Sequence, residues 1–312
     1  MGSEKVQEGE DARHAVDEES RATTSRQSLG RHPGFSEISP ELGILDEDAF
    51  DRALSEDADD ALGLLADLVG ATDERLRRQA RHLAARIVLD VGQRGPVRRK
   101  GSGQRLLVPA DRAEGDIDLD ASLDTLLLSR ATGHPPPLDE LRVATWSRPV
   151  TALCLVVDRS GSMGGERLAT AAIGAAACAW RAGLDHSVLA FSDTVIVVKG
   201  QDEARPAAAV AEDVLRLRGR GVTDLGLALR AAQAQLARSN ATRRVVVLLS
   251  DCRPTAGADP GPIAAALDEL CIVAPADDHE DAVELARYAG ARWAPVDGPS
   301  SLPAALRTLL DP

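Results

Sequence analysis

The stretch "LCLVVDRSGSMGGERL" (residues 153–168) runs from an apolar segment into an aspartate, two serines at alternate positions and a group of glycines. An apolar run with no polar alternation is the signature of a strand covered on both faces. The polar set that follows therefore belongs at the strand's carboxyl end. In "DRSGS" the second and fourth residues point away, so Asp158, Ser160 and Ser162 can converge. Gly161 permits a tight turn, and Gly164 and Gly165 let the backbone pass close to a ligand. Glu166 then opens a helix, where a carboxylate suits the helix dipole. Three readings are open: a phosphate cradle, a catalytic aspartate, or one edge of a metal site completed elsewhere.

Strand and helix patterns alternate downstream. After "VTALCLVV" and the alanine-rich helix "ERLATAAIGAAACAWRAG", the strands "HSVLAFSD" and "TVIVVKG" are separated by almost nothing, which predicts a hairpin. Helical patterns in "RPAAAVAEDVLRLRG" and "DLGLALRAAQAQLARS" precede a second fully apolar strand, "RRVVVLLS". Two further strands, "CIVAPAD" and "ARWAPV", are interleaved with helices to the end of the chain. This order predicts an α/β fold, a doubly wound and mostly parallel sheet with helices on both faces and one antiparallel edge strand.

Upstream the pattern differs. Residues 1–42 read as a disordered acidic tail; the first 60 residues carry 17 Asp and Glu against 6 Lys and Arg. Residues 43–147 read as a small helical region and linker. Leu54, Ala58, Ala61, Leu65 and Leu68 form one stripe, Gly70 interrupts, and Leu76, Ala80, Leu83 and Ile87 resume it. Two antiparallel helices follow from that spacing. The basic loop "QRGPVRRKGSGQR" (93–105) reads as a solvated segment, Leu119, Leu123 and Leu126 to Leu128 as a third helix, and "GHPPPLDELRVATWSRP" as an extended linker. The main domain is expected over 148–312.

Composition excludes several classes. A net charge of −13 argues against nucleic acid as a partner. None of the four cysteines forms a CxxC pair, and no histidine cluster accompanies them, so neither a zinc site nor a disulfide framework is indicated. Cys154, Cys178 and Cys271 sit in apolar runs, whereas Cys252, after Asp251 at a strand end, is expected to be more exposed. No apolar stretch reaches the length of a membrane span. The opening "MGSEKVQEGEDARH" lacks a leader's apolar core, so the expected location is cytoplasmic.

In open α/β sheets, ligands bind beyond the carboxyl ends of the strands. The polar residues placed there are Asp158, Ser160 and Ser162, then Thr223 and Asp224 in "RGRGVTDLG", then Asp251 in "VVVLLSDCRPT". All offer oxygen, which suits a hard cation such as Mg²⁺, Mn²⁺ or Ca²⁺. Alone, Asp158, Ser160 and Ser162 would be read as a capped helix entry; Thr223 and Asp251 tip the balance to a metal. "GSMGGER" matches neither G-x-G-x-x-G nor G-x-x-x-x-G-K-[ST], against a phosphate cradle. Ser250 and Asp193 read as turn or supporting groups, Trp180 and Trp293 as packing residues, and His186 and His279 as loop residues without a role.

The D-x-S-x-S run after a first strand, the threonine of a G-x-T-D loop and the aspartate after a later apolar strand resemble the metal-ion-dependent adhesion site of von Willebrand factor A (VWA) domains, over residues 148–312. The resemblance implies a six-stranded sheet of the kind described. It implies a site that binds rather than breaks bonds, so no enzyme is expected. Ser160, Ser162 and Thr223 would hold Mg²⁺, or Mn²⁺, through hydroxyls or water, Asp158 and Asp251 would act largely through water, and a partner's carboxylate would complete the coordination. Intracellular bacterial relatives work beside AAA+ ATPases of the MoxR type or as magnesium-chelatase D subunits. "GDIDLDASLDTLL" (115–127) is similar to segments upstream of the domain in MoxR-associated proteins. The implied function is an adaptor or co-chaperone for a separate MoxR-type ATPase, serving cofactor or metal insertion or protein remodelling; a subunit of a magnesium-chelatase-like complex is the alternative. The enzyme alternative is a haloacid-dehalogenase-like phosphatase with Asp158 as nucleophile. Ser160 stands where its second aspartate is needed.

Overall fold

The computed structural model describes residues 5–93, 104–110, 116–147, 151–159, 165–219 and 221–311. The chain begins with β1 (Val6–Gln7), α1 (Glu10–Glu19), α2 (Arg26–Leu29) and α3 (Phe35–Ile38), followed by α4 (Glu47–Glu56), α5 (Ala58–Leu68) and α6 (Glu74–Gln93). The disordered tail expected over residues 1–42 is therefore corrected from residue 5 onward. Val6 pairs with Val195, and Ala12, Val16, Leu29, Phe35 and Ile38 are buried in the main core. These elements are too short to show periodicity, and their acidic faces mask the few apolar anchors. Asp57 explains why the stripe beginning at Leu54 breaks into two helices. Its carboxylate accepts the backbone N–H groups of Asp59 and Asp60, both at 3.1 Å, and so starts a new helix.

Residues 98–150 form a compact unit of their own. Its described strands are β2 (Gln104–Pro109), β3 (Asp116–Ile117) and β4 (Arg142–Ser147), with α7 (Leu123–Thr132) between the last two. They pair antiparallel in the order β2-β4-β3. The expected linker thus contains a central strand; the prolines at 135–137 end before it starts. Residues 94–103 of the basic loop lie outside the described residues.

The remaining elements are β5 (Thr151–Asp158), α8 (Gly165–Ala182), β6 (His186–Phe191), β7 (Val195–Lys199), α9 (Ala207–Arg216), α10 (Leu225–Leu236), β8 (Arg243–Leu249), α11 (Gly261–Ala265), β9 (Glu269–Pro275), α12 (Glu280–Ala289), β10 (Arg292–Val296) and α13 (Leu302–Leu310). Among the described residues seven strands form one sheet, ordered β1-β7-β6-β5-β8-β9-β10. Six match the expected strands, and β1 is the addition. Neighbours run parallel except β6 and β7, which form the expected hairpin. At that edge β1 pairs parallel to β7, so both strands run against the rest of the sheet.

Alternation along β5 separates two cores. Leu153, Leu155 and Val157 face the side covered by α8, α9 and α13. Ala152, Cys154 and Val156 face α10 and α12. Helices α5 and α6 pack in turn on α8, and small residues make the approach possible. A methyl group on Gly165 would strike the Gly63 carbonyl, and one on Gly63 would lie 2.9 Å from Glu166 Cγ. Among the described residues no helix is long and apolar enough to cross a membrane.

The amino ends of the central strands bury two basic groups. Lys199 is fully buried, its ammonium donating to the carbonyls of Leu184, His186 and Gly200. His186, expected in a loop, is instead a buried residue at the start of β6; its Nδ1 pairs with the Gly183 carbonyl at 2.7 Å. Burial, with Lys199 nearby, pulls its pKa from the ordinary 6.5 to about 4. The unfolded chain therefore binds a proton at His186 before the folded one does. This contribution to stability is intact above pH 6.5 and is lost as pH falls toward 4. Replacing His186 by asparagine should flatten the acid limb of stability in that window, as read by urea unfolding at a series of pH values.

Candidate metal centre

Strand order reverses at β5. The chain leaves it through α8 to β6 on one side, while β8 pairs on the other. The carboxyl ends of β5 and β8 thus flank a crevice of the kind where open α/β sheets bind ligands. A cleft of about 360 Å³ lies there, and Asp158, Glu166, Arg167, Asp251, Asp277 and Asp297 supply its charged lining.

Asp158 is the last residue of β5 and is almost fully buried. Its Oδ2 accepts a 2.6 Å hydrogen bond from Ser250 Oγ. The same Ser250 oxygen accepts the N–H of Cys252 at 2.9 Å. Ser250, read from sequence as a turn or supporting group, is thus the link between the two strand ends. Asp251 lines the same cleft, and its Oδ1 accepts the N–H of Arg253 at 3.1 Å. Its Oδ2 has no hydrogen-bond partner among the described residues. Cys252, expected to be exposed, is buried, and its backbone takes φ 63°, fixed by the bond to Ser250. Burial, together with the Asp251 and Asp158 carboxylates, pushes the Cys252 thiol's pKa up, so it stays protonated.

Thr223 is buried, and the loop after Asp251 clasps it. Its N–H donates to Thr255 Oγ1 at 2.8 Å, and its carbonyl accepts from Thr255 at 3.1 Å and Ala256 at 3.2 Å. Its hydroxyl makes no hydrogen bond among the described residues. The next residue, Asp224, caps α10 by accepting the N–H of Leu227 at 2.9 Å. Gly257, at φ 87°, is required here because any side chain would collide with Asp224.

Asp158 and Asp251 therefore share one cleft, and Thr223 is tied to the loop that carries Asp251. Ser160 and Ser162 lie outside the described residues. Glu166 stands in the first turn of α8, as expected. Desolvation, then the carboxylates of Asp60, Asp59 and Asp57, hold its pKa above the ordinary carboxylate value. Sequence reading missed one pair altogether: Arg159, between Asp158 and Ser160, forms a buried ion pair with Glu19. The partners are 140 residues apart, and nothing in either neighbourhood signals the pairing.

The donor chemistry fits a hard cation. Asp158, Asp251 and the Thr223 hydroxyl offer oxygen. Among the described residues no group of three His, Cys, Asp or Glu is placed to hold a metal by itself, so hydroxyl oxygens would have to complete the set, as the sequence pattern supplies them.

The family of VWA domain containing CoxE-like proteins matches residues 94–309. The match spans more than half of the chain, and the protein belongs to that family, a class of metal-binding, protein-interaction modules. A comparison with curated proteins returned no match. Solved structures similar to this chain include a von Willebrand factor type A protein from Catenulispora acidiphila, at 20% identity and TM-score 0.41, covering 54% of this chain and 43% of that one. The manganese-loaded TRAP protein of Plasmodium vivax aligns at 15% identity and TM-score 0.40, over 51% and 73% of the two chains. Proximal thread matrix protein 1 from the mussel byssus, with a zinc-occupied MIDAS motif, aligns at 16% identity and TM-score 0.41, over 51% and 46%. The chain spans less than half the length of the Catenulispora and mussel proteins.

Replacing Ser250 by alanine removes a side-chain donor to Asp158 Oδ2 and the acceptor for the Cys252 N–H. A loss of about 1–3 kcal/mol in unfolding free energy should follow, measured by urea denaturation at pH 7.

Proposed function

We propose that this chain is a cytoplasmic, non-catalytic binding module whose metal centre, made by Asp158, Ser160, Ser162, Thr223 and Asp251, holds Mg²⁺ or Mn²⁺ and captures a carboxylate of a partner protein. Neutral hydroxyls in such a ligand set leave the cation's charge poorly neutralised, so it attracts an external acid. The bound ion supplies that attraction and no bond is broken. Asp158 and Asp251 orient the ligands and waters around it, Ser250 fixes Asp158, and the loop after Asp251 sets Thr223. The partner in this reading is a MoxR-type AAA+ ATPase, or a client on which such an ATPase acts, in cofactor or metal insertion or protein remodelling. One observation carries it: the fold brings Asp158 and Asp251 to a single cleft at the strand switch and ties the buried residue Thr223 to the loop that follows Asp251.

The test is affinity purification of the tagged full chain from its own cells in excess Mg²⁺ or in EDTA. The wild type should bring down an AAA+ ATPase only with Mg²⁺, and Thr223→Ala should lose it in both conditions. Equal recovery of the ATPase by wild type and variant, with or without EDTA, refutes the proposal.

A further inference from the structure

Glu and Arg are almost never fully buried unless they are paired. Glu19 is 5% exposed and Arg159 is 2% exposed, and they pair with each other. The two oxygens of Glu19 go to different places. Oε1 accepts from Arg159 Nη1, and Oε2 accepts from the backbone N–H of Arg218 at 2.9 Å. Arg159 lies between Asp158 and Ser160. Arg218 opens the segment that leads to Thr223. One carboxylate, delivered by α1, therefore bridges the residue that follows Asp158 and the backbone of Arg218, five residues before Thr223.

The junction extends further. Arg159 Nη2 donates to Ser192 Oγ at 3.4 Å, and the Ser192 carbonyl accepts the N–H of Asp224, beside Thr223, at 2.8 Å. The Arg159 N–H donates to the Phe191 carbonyl at 2.9 Å. Helix α1 is itself held in place: Ala12 and Val16 are buried, and Arg13 pairs with Glu203 at 3.0 Å.

We infer that Glu19 is a positioning residue for the metal centre: through Arg159 and the Arg218 backbone it sets the spacing of Asp158 and Thr223, and without it the centre binds a divalent cation more weakly. This rests on the metal reading above. The physical ground is that a buried ion pair is a poor device for stability, since removing two charges from water offsets most of their attraction. An apolar pair of similar volume would fill the space as well. It would not supply directed bonds to two separate loops. Supporting groups of this kind typically weigh roughly 10–100-fold on metal affinity.

Two variants of the full chain test it, Glu19→Gln and the double substitution Glu19→Met with Arg159→Met. The readouts are Mn²⁺ affinity by calorimetric titration and stability by urea unfolding. The double variant should fold, with stability lowered only by the lost bonds to Arg218 and Ser192, yet bind Mn²⁺ roughly 10–100-fold more weakly. Glu19→Gln should also bind more weakly; being isosteric, it decides the matter if the double variant does not fold. A folded variant with wild-type Mn²⁺ affinity overturns the inference while leaving the metal reading intact. A wild-type chain that takes up no Mn²⁺ overturns the metal reading and the inference with it.

Discussion

The parallel pairing of β5 with β8 is the constraint on which the structure rests. Its register runs from Thr151 opposite Arg243 to Val157 opposite Leu249. Nearly every residue in it is buried. Because side chains alternate between faces, a slip of one residue would exchange the Leu153–Leu155–Val157 face for the Ala152–Cys154–Val156 face. The first packs under α8 and the second under α10, and the two sets differ too much in volume to trade places. Once this register is fixed, Asp158 and Ser250 must fall side by side beyond the last pair, with Asp251 one step further.

The two ends of the sheet treat charge differently. At the amino ends of β8, β9 and β10 the charges are matched. Arg243 grips Glu269 through two hydrogen bonds of 2.7 Å, and Arg292 adds a third at 2.6 Å. The hydrogen bond from Arg243 is the main reason Glu269 is held below the usual carboxylate pKa. At the carboxyl end, Asp158, Glu166, Asp251, Asp277 and Asp297 share a cleft with Arg167. One end is closed by mutual neutralisation, and the other keeps an excess of acceptor oxygens facing a cavity. Only the second kind of surface suits a cation.

Helix α8 connects that end to the N-terminal helices. It is rich in alanine, and the chain's close approaches to it fall on glycine: Gly63 against Glu166, and Gly92 against Ala176 at 2.8 Å from a hypothetical methyl. Larger residues at these points would push α5 and α6 off the helix that opens at the cleft. The near absence of aromatic residues, 2% of the chain, has its structural counterpart here. Small side chains let three layers stack where bulky ones would have required more space between them.

The amino-acid sequence by itself determined the alternating strands and helices from Thr151 onward, the hairpin of β6 and β7, and the oxygen-bearing residues at strand ends. Each is a local property: an apolar run such as "VTALCLVV" is a buried strand wherever it sits, and a chain leaving a strand must turn at Asp158 or Asp251. Tertiary structure alone decided that Val6 would extend the sheet, that Arg142–Ser147 would be a strand rather than a linker, and that Cys252 would be buried. It alone decided that Glu19 would reach Arg159 and Arg218. Those outcomes depend on partners far along the chain, and a two-residue strand or a single carboxylate carries no periodicity from which its partner could be read.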